Sequence, residues 1–342
     1  MKKEVVIVSD SIRNKVNYTA LEYSYLRAFS QKDFNCDLIS FNINPYLHFA
    51  LSKFYPQQLN YYLGLKQKPI LNYLKNTDKK YVFVIKGYFL LPETIEELKS
   101  LGKFVFCFYP DDPFRILPGT STQFVKESIV CYNAYFIWST ALVKRIKEMS
   151  SNNVYYLPFA ADYVLLNPPD YSPNINNADM AWDVSFVGNA DKERTDFLNI
   201  LTSKLGSDCK KIIYGAWWKK MNDYVIKKNV HGNDFINAIL SSKINLNILR
   251  VQNKNSNNMR TFEIPTIGGF MLHEYSEEAM EFFVPGVEAD YFKDVEECAD
   301  KIKFYLKNET IRQKIARAGH EKIFSAKHIY TDRVEEIWQK II

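Results

Sequence analysis

The feature that most constrains the fold is an alternation of strand-like runs with helical segments, which occurs twice along the chain. Short apolar runs such as Val5–Val8, Tyr81–Ile85 and Phe104–Tyr109 are separated by segments in which apolar residues recur at helical spacing. Runs rich in β-branched and aromatic residues are typical of parallel strands that are covered on both faces. The first series therefore predicts a parallel sheet with helices on both sides.

A second series of the same kind follows a segment rich in Pro, Asn and Asp, Asn167–Asp179, which we interpret as a linker. Its predicted strands are Asp183–Val187, Lys211–Tyr214 and Ile244–Leu249. We therefore predict an α/β protein with two Rossmann-like, doubly wound domains that face a cleft. Residues 1–166 and 181–326 would form the domains, with 167–180 between them.

Composition excludes several classes of protein. The 342 residues are 47% hydrophobic and 24% charged, without a run long enough to cross a membrane or a secretory signal, so we expect a cytoplasmic protein. A net charge of +5 without a Lys/Arg cluster argues against nucleic acid as a partner. The cysteines and histidines lack metal-ligand spacing, and no dinucleotide fingerprint or P-loop is present. We expect neither a metal nor a resident cofactor.

The stretch Arg260–Glu274 indicates a nucleotide site. It predicts a short helix, a stop at Gly268 and Gly269, a buried strand and a polar tip. The carboxylate of Glu263 could accept hydrogen bonds from both hydroxyls of a ribose, and glycines allow a backbone to approach a diphosphate closely. This layout favours a glycosyltransferase with a nucleotide-sugar donor. The alternative for Glu263 is an exposed helix glutamate.

Further donor-site candidates lie beside predicted strand ends. Arg250 and Arg260 could stabilise the charge of a departing diphosphate, and the alternative for each is a surface ion pair. Gly188 and Asn189 are further candidates, with an ordinary turn as their alternative, and Tyr214 is another, with packing at the domain interface as its alternative. Glu274, together with His273, could contact donor phosphate or sugar hydroxyls.

Catalytic candidates also follow predicted strands. Asp111 and Asp112 come directly after Phe104–Tyr109, and His273 lies at a strand tip. A carboxylate or histidine at such a position could act as the general base on an acceptor hydroxyl. The competing interpretation of the two aspartates is a turn in which they cap backbone N–H groups. Asp10, after the first strand, is a weaker candidate of the same type.

An ordered set of motifs carries a family resemblance. Asp183–Asn189, Asn245–Asn247 with Arg250, and Arg260–Leu272 together resemble the C-terminal domain of CgeB-type, spore-maturation-protein-like glycosyltransferases. Tyr109–Pro113 extends a weaker resemblance into the N-terminal half. This family is similar to the GT-B glycosyltransferases. The resemblance implies an N-terminal acceptor domain, a C-terminal nucleotide-sugar domain, and a final helix within 327–342 that crosses back to the N-terminal domain.

The resemblance also has a gap. Many retaining GT-B enzymes carry a further glutamate upstream of the one that Glu263 matches, and Asn255 occupies that position here. The stereochemical outcome and the donor sugar therefore stay open, with a UDP-linked sugar as one candidate. The alternatives to a transferase are a non-catalytic nucleotide-sugar-binding or assembly protein, and an epimerase of the same architecture.

The acceptor is predicted to be a glycan or a lipid-linked saccharide, and the oligomeric state is open. The segment Pro45–Leu65 is crowded with Tyr, Phe and Leu and has lysines around it. It could form an amphipathic surface for peripheral contact with the inner face of a membrane. The alternative is a helical insertion that packs on the N-terminal domain.

Overall fold

The structure is a computed structural model that describes residues 3–10, 20–41, 43–149, 153–165 and 180–342. Its contacts divide the chain into two compact units. The N-terminal unit holds the described residues up to Pro158 together with 334–342, and the C-terminal unit holds Phe159–Arg333.

The N-terminal unit is built on a parallel sheet in the order β2-β1-β3-β4-β5-β6. The strands are β1 (Glu4–Ser9), β2 (Asn35–Ser40), β3 (Tyr81–Ile85), β4 (Phe104–Tyr109), β5 (Ala134–Ile137) and β6 (Val154–Tyr156). The helices are α1 (Leu21–Gln31), α2 (Pro45–Phe54), α3 (Pro56–Lys75), α4 (Pro92–Ser100), α5 (Gln123–Ser128) and α6 (Thr140–Met149). Proline occupies the first turn of α2, α3 and α4, where its missing N–H has no partner within the helix.

The C-terminal unit repeats this plan in the order β12-β11-β10-β7-β8-β9, again all parallel. The strands are β7 (Trp182–Val187), β8 (Lys211–Tyr214), β9 (Tyr224–Lys227), β10 (Ser242–Asn247), β11 (Met271–Glu274) and β12 (Asp290–Phe292). The helices are α7 (Lys192–Leu205), α8 (Gly232–Leu240), α9 (Met259–Ile267), α10 (Glu277–Phe282), α11 (Val295–Lys307), α12 (Glu309–Ser325) and α13 (Tyr330–Ile341), whose last residues belong to the N-terminal unit.

Each sheet has a point at which the strand order reverses. It lies between β1 and β3 in the N-terminal unit and between β7 and β10 in the C-terminal unit. At such a switch point the loops that leave the two strands run in opposite directions, so a crevice opens at the carboxyl ends of the strands. These two edges are therefore where functional side chains are expected.

The end of α13 packs on the N-terminal unit. The ring of Trp338 lies 4.8 Å from that of Phe34 and 4.7 Å from that of Tyr81, between ring centroids. Glu335 forms an ion pair with Lys32. The crossing of the last helix, which the resemblance implied, is confirmed.

The doubly wound fold class is also confirmed, whereas two strands at sheet edges were missed. Sequence analysis assigned no strand to β9 or β12, which have four and three residues. The predicted linker at 167–180 lies almost wholly outside the described residues. None of the helices in the described part of the chain combines the length and hydrophobicity needed to cross a bilayer.

Candidate functional site

A buried arginine bridges the switch point of the C-terminal unit. Arg194, in the first turn of α7, is 7% exposed and donates from Nε and Nη2 to the carbonyl oxygen of Ile248 at 3.1 and 2.6 Å. Its Nη1 donates to the carbonyl oxygen of Asn189 at 3.3 Å. The guanidinium therefore ties the chain after β10 to the chain after β7. Sequence analysis missed Arg194, although Asp191, which caps α7, gave a local signal for the start of the helix.

Glu263 and Arg260 form a second charged pair at the same edge. Glu263 is 3% exposed, and its carboxylate is ion-paired with the guanidinium of Arg260 one turn earlier on α9. Arg260 also donates from Nε to the carbonyl oxygen of Val187, the last residue of β7, at 3.3 Å. Its guanidinium carbon lies 4.3 Å from the centroid of the Phe235 ring. Glu263 is therefore an interior residue next to a strand end, which excludes the alternative of an exposed helix glutamate.

Three guanidinium groups lie close together at this edge. Burial lowers the pKa of Arg194, the charge of Asp191 opposes this, and the charges of Arg250 and Arg260 add to the lowering, so that the pKa falls from 12.5 to about 10. Arg250 is 40% exposed in its side chain, and its Nε lies 3.9 Å from Asp191 Oδ2. Three guanidiniums thus face the carboxylates of Asp191 and Glu263. An anionic ligand would relieve the repulsion among the arginines.

A buried polar network fixes the start of α9 at this edge. Asn258 caps the helix by accepting a hydrogen bond from the N–H of Thr261 at 3.0 Å. The amides of Asn258 and Asn247, the last residue of β10, exchange two hydrogen bonds of 2.9 and 3.1 Å. The helix therefore starts beside the carboxyl end of β10. Because the cap uses the N–H of Thr261, the N–H groups of Met259 and Arg260 are the ones left to an anion there.

His273 takes part in this network from within the core. It is fully buried, and burial lowers its pKa to about 3. Nδ1 contacts the carbonyl oxygen of Glu274, which can only accept, so Nδ1 carries the proton and Nε2 accepts from Thr261 Oγ1 at 2.9 Å. Both ring nitrogens are thereby engaged in positioning α9 against β11. This geometry favours a structural role over the predicted catalytic one.

Glu274 positions the loop after β10. Its Oε2 accepts from the N–H of Leu249 at 2.8 Å, and its Oε1 is ion-paired with Lys254. Glu274 therefore holds the loop that carries Arg250, and its predicted contact with the donor stays a prediction.

The loops after β7 and β8 are locked together by backbone contacts. The N–H of Gly188 donates to the carbonyl oxygen of Tyr214 at 2.9 Å, and Asn189 Oδ1 accepts from the N–H of Ala216 at 3.0 Å. A Cβ atom on Gly215 would lie 2.0 Å from the carbonyl oxygen of Gly188, so only glycine fits there. Tyr214 is 7% exposed. Gly188 and Asn189 thus lie at the predicted edge, while Tyr214 is mostly interior.

Gly268 and Gly269 lie at the other edge of the sheet. They follow the C-terminus of α9 and precede β11, which places them at the amino ends of the strands. Gly268 is the helix cap, with a φ of 88° in the left-handed region. A Cβ on Gly269 would meet Ile239 Cγ2 at 2.5 Å, so this glycine allows α8 and α9 to pack closely. The predicted diphosphate contact is corrected to a packing role because α9 runs antiparallel to β11.

An exposed tryptophan follows β8. Trp217 is 76% exposed and has a φ of 65°, in the left-handed region that L-residues adopt at a cost of about 1–2 kcal/mol. Neither its exposure nor its backbone conformation stabilises the folded chain. The neighbouring Trp218 is anchored, since its Nε1 donates to the carbonyl oxygen of Gly188 at 2.8 Å. Trp217 is therefore an aromatic face available to a planar ligand at the carboxyl edge of the sheet.

The switch point of the N-terminal unit carries an aspartate. Asp10, which follows β1, accepts hydrogen bonds from the N–H groups of Tyr88 and Phe89, after β3, at 3.1 and 3.3 Å. Burial raises its pKa from the ordinary 3.8 to about 6, although Lys86 acts in the opposite direction. Sequence analysis ranked Asp10 below Asp111 and Asp112. Asp10 is therefore a carboxylate with a raised pKa at the carboxyl edge of the sheet.

Asp111 and Asp112 have different surroundings. Lys86 Nζ lies 2.7 Å from Asp111 Oδ2 and donates to the carbonyl oxygen of Gly119 at 2.6 Å. Asp112 Oδ1 accepts from the N–H of Phe114 at 2.9 Å, which is the capping alternative that the sequence left open. Asp111 thus joins Asp10 and Lys86 at the carboxyl edge of the N-terminal sheet, whereas Asp112 stabilises the following turn. Among the residues that the structure describes, no three His, Cys, Asp or Glu side chains form a group suited to a metal ion.

Comparison with solved structures identifies the fold. Sucrose-phosphate synthase from Thermosynechococcus elongatus superposes with a TM-score of 0.68 at 9% sequence identity, over 99% of this chain and 98% of that one. HepE from Anabaena in complex with UDP-glucose gives a TM-score of 0.67 at 10% identity, over 99% of both chains. A glycosyltransferase from Rickettsia africae gives 0.67 at 12% identity, over 99% and 98%. The fold is the GT-B fold.

Sequence comparison reaches only part of the chain. Residues 194–339 match the profile of the protein family described as "Glycosyl transferase-like". The match begins at Arg194, the arginine that bridges the switch point. No curated protein matches the chain. The narrower resemblance to CgeB-type enzymes stays a prediction.

Proposed function

We propose that this protein is a glycosyltransferase that moves a sugar from a nucleotide-sugar donor to a hydroxyl group of an acceptor. The observation that carries the proposal is the cationic cluster at the switch point of the C-terminal unit. There Arg194, Arg250 and Arg260 surround the start of α9, with Glu263 beside them. The family match over residues 194–339 and the fold support the same reaction class.

In this proposal the cluster binds the diphosphate. The exposed guanidinium of Arg250 and the first N–H groups of α9 would contact the phosphate oxygens, because both present hydrogen-bond donors and positive potential. Arg260, which is held by its hydrogen bond to the carbonyl oxygen of Val187, would add positive charge beside the diphosphate. As the bond from the sugar to phosphate breaks, negative charge grows on the leaving oxygen, and these groups stabilise it. We therefore propose that the reaction needs no metal ion.

Two further residues would hold the nucleoside, one at the ribose and one at the base. Glu263, oriented by Arg260, would accept hydrogen bonds from the ribose hydroxyls. Trp217 offers an exposed aromatic face on which a base could stack. The solved relative from Anabaena binds UDP-glucose, and we take UDP-sugars as the first candidates for this chain.

The acceptor would be activated by Asp10. A carboxylate with a pKa of about 6 is ionised near neutral pH and still basic enough to accept a proton. In the transfer step the acceptor oxygen forms a bond to the anomeric carbon and gives its proton to Asp10. The bond from that carbon to the phosphate oxygen breaks, and the nucleoside diphosphate leaves. A single displacement of this kind inverts the anomeric configuration.

The proposal is tested with Glu263→Gln. Removing the charge weakens hydrogen bonds that are worth about 1.5–3 kcal/mol, so the affinity for the nucleoside diphosphate should fall about ten- to a hundredfold. Calorimetric titrations with UDP, GDP, ADP, dTDP and CMP would first identify the base. Glu277→Gln, an exposed glutamate at the start of α10, is the matched control and should bind as the unmodified protein does.

The outcomes separate the alternatives. Equal affinity of Glu263→Gln and Glu277→Gln for the preferred nucleotide would remove the ribose role. Nucleotide binding with neither hydrolysis of any nucleotide-sugar nor transfer would favour the non-catalytic binding protein. The cytoplasmic location and the glycan or lipid-linked acceptor remain predictions.

A further inference from the structure

The hairpin of α2 and α3 leaves an unusual set of aromatic residues in contact with solvent. Tyr46 is 85% exposed, Tyr61 73% and Phe54 62%, and Phe49 and Tyr55 are also exposed. Large aromatic side chains at such exposure lose the free energy that burial would give, of the order of 1.5–3 kcal/mol for a full side chain. A helical hairpin that exposes five of them is suited to an apolar partner.

Part of this exposed set follows the helical repeat. On α2, Tyr46, Phe49 and Lys53 lie at i, i+3 and i+7, and on α3, Tyr61 and Leu65 lie at i and i+4. Residues at these spacings share one face of a helix. The opposite face of α3 is buried in the N-terminal unit through residues such as Leu59, Leu63, Ile70 and Leu74. Helix α3 is therefore anchored on one side and exposes Tyr61 and Leu65 on the other. None of the described side chains of helix α2 is fully buried, and this helix is held mainly by the partly buried Leu51, which packs against the cluster of Leu59 and Leu63.

The charge of the hairpin has a single sign. No Asp or Glu occurs between Asp37 and Asp78, whereas the same stretch contains Lys53, Lys66, Lys68 and Lys75. Lys75 is paired with Glu97 on α4. Lys53 Nζ lies 5.9 and 5.2 Å from the centroids of the Phe49 and Phe54 rings, so cationic and aromatic groups are interleaved.

We propose that this hairpin docks the protein on an anionic phospholipid surface. Aromatic rings enter the region between headgroups and acyl chains, and lysines beside them pair with lipid phosphates, so the two features together match a lipid bilayer. A protein partner with an apolar face would not account for the absence of acidic residues along the whole hairpin.

The hairpin is connected to the candidate acceptor edge. The ring of His48 on α2 lies 4.9 Å from that of Phe89 and 5.9 Å from that of Tyr88, and the N–H groups of these two residues hold Asp10. Gln67 on α3 is fully buried and donates to the carbonyl oxygen of Phe89 at 2.9 Å. Docking would thus bring Asp10 to a lipid surface, which favours a lipid-linked acceptor. That last step rests on the proposed function, whereas docking itself does not.

The test measures partition of the full chain onto vesicles by flotation. Vesicles of phosphatidylcholine alone are compared with vesicles that also contain phosphatidylglycerol. The protein should float with the anionic vesicles only, and less at about 1 M than at about 0.1 M salt, because the Debye length falls from about 10 to about 3 Å. Replacing Lys53, Lys66 and Lys68 by Gln should lower the partition coefficient by about a hundredfold, given roughly 1 kcal/mol for each basic residue near the surface.

The aromatic contribution is tested separately with Phe49→Ser combined with Phe54→Ser, which should also abolish flotation. Matched controls on the C-terminal unit are the exposed Lys303, Lys307 and Lys314 changed to Gln, and Phe304→Ser combined with Ile311→Ser. Both controls should float as the unmodified protein does. Unchanged circular dichroism and UDP affinity would show that the hairpin variants are folded.

Three results would overturn the proposal: no flotation with either vesicle, flotation that the hairpin variants retain, or a dimer in lipid-free buffer that Phe49→Ser with Phe54→Ser dissociates. The last would assign the surface to a second copy of the chain. Loss of vesicle binding in the hairpin variants with nucleotide-sugar hydrolysis unchanged would support docking and leave the proposed function standing. Vesicle binding by a protein that binds no nucleotide would refute the function alone.

Discussion

Replacing Asp10 by Asn should make the protein more stable near neutral pH while removing its activity. The pKa of Asp10 rises from 3.8 to about 6 on folding, chiefly through burial. Between these values the folded protein holds a proton that the unfolded chain has lost, so stability falls as the pH rises from about 4 through about 6. Each pKa unit corresponds to about 1.4 kcal/mol, which limits the cost of ionised Asp10 at pH 7 to about 3 kcal/mol.

The realised gain should be smaller, about 1 kcal/mol. Asp10 retains partial access to solvent, and a neutral amide accepts weaker hydrogen bonds from the N–H groups of Tyr88 and Phe89. Lys86 keeps its ion pair with Asp111 in the variant, so no buried cation is left unpaired. Urea unfolding followed by tryptophan fluorescence at pH 7.5 and at pH 4 measures the difference. The variant should be more stable only at the higher pH.

The transfer activity of Asp10→Asn should fall, although its stability at neutral pH should rise. General base catalysis contributes about 10²–10⁴ to the rate, and this factor should be lost from kcat/KM for transfer. In the unmodified protein kcat/KM should rise with pH through about 6 as Asp10 ionises, and the variant should lack this step. UDP affinity should be the same in both, because Asp10 belongs to the N-terminal unit.

Asp33→Asn is the control, an exposed aspartate in a turn with a φ of 62° that Asn also adopts. It should leave stability and activity unchanged at both pH values. The reasoning would be refuted if Asp10→Asn gained no stability at pH 7.5 relative to pH 4, or if it kept full transfer activity with the pH step in place.

Three further outcomes follow from the C-terminal unit. Arg194→Lys loses the two-pronged hydrogen bond to Ile248, and should lower the free energy of unfolding by about 1–3 kcal/mol and weaken UDP binding; unchanged urea midpoints would contradict the bridging role. Gly269→Ala would press a methyl group against Ile239 and Asn245, and should cost about 1–3 kcal/mol with UDP affinity unchanged; weaker nucleotide binding in calorimetry would return Gly269 to the donor site. EDTA should leave nucleotide-sugar hydrolysis unchanged, and a loss that Mg²⁺ or Mn²⁺ restores would show that a metal carries the leaving-group charge.

The fold could be predicted because parallel strands buried on both faces leave a strong pattern. Tyr81–Ile85 and Phe104–Tyr109 are continuous apolar runs, and the structure places strands with the same bounds there. Tyr224–Lys227 and Asp290–Phe292 escaped notice because they are edge strands of four and three residues, too short to form a periodic pattern, although Tyr, Val, Ile and Phe are typical of strands. Short edge strands take their structure from the neighbouring strand more than from local preference.

The candidate site was predicted less completely, for a physical reason that Gly269 and Arg194 illustrate. Sequence proximity suggested that Gly269 serves the same ligand as Glu263, but a helix that precedes a parallel strand runs antiparallel to it and separates its two ends. Arg194 resembles a surface residue in a helix that starts with charged residues, and only the fold shows that its side chain reaches two strand ends.

The direction of the chain, more than the spacing of residues, decides which polar groups meet. In both units, groups that come after the two strands beside the switch point meet. Asp10, after β1, contacts the loop after β3, and Arg194, after β7, contacts the loop after β10. Residues that precede a strand lie at the opposite edge, whatever their chemistry. The two convergent sets are also opposite in character: a carboxylate with a raised pKa in one unit, and a cluster of guanidiniums in the other. In the proposed reaction the first set would take a proton and the second would stabilise a leaving group, and the variants Asp10→Asn and Arg194→Lys test these two roles separately.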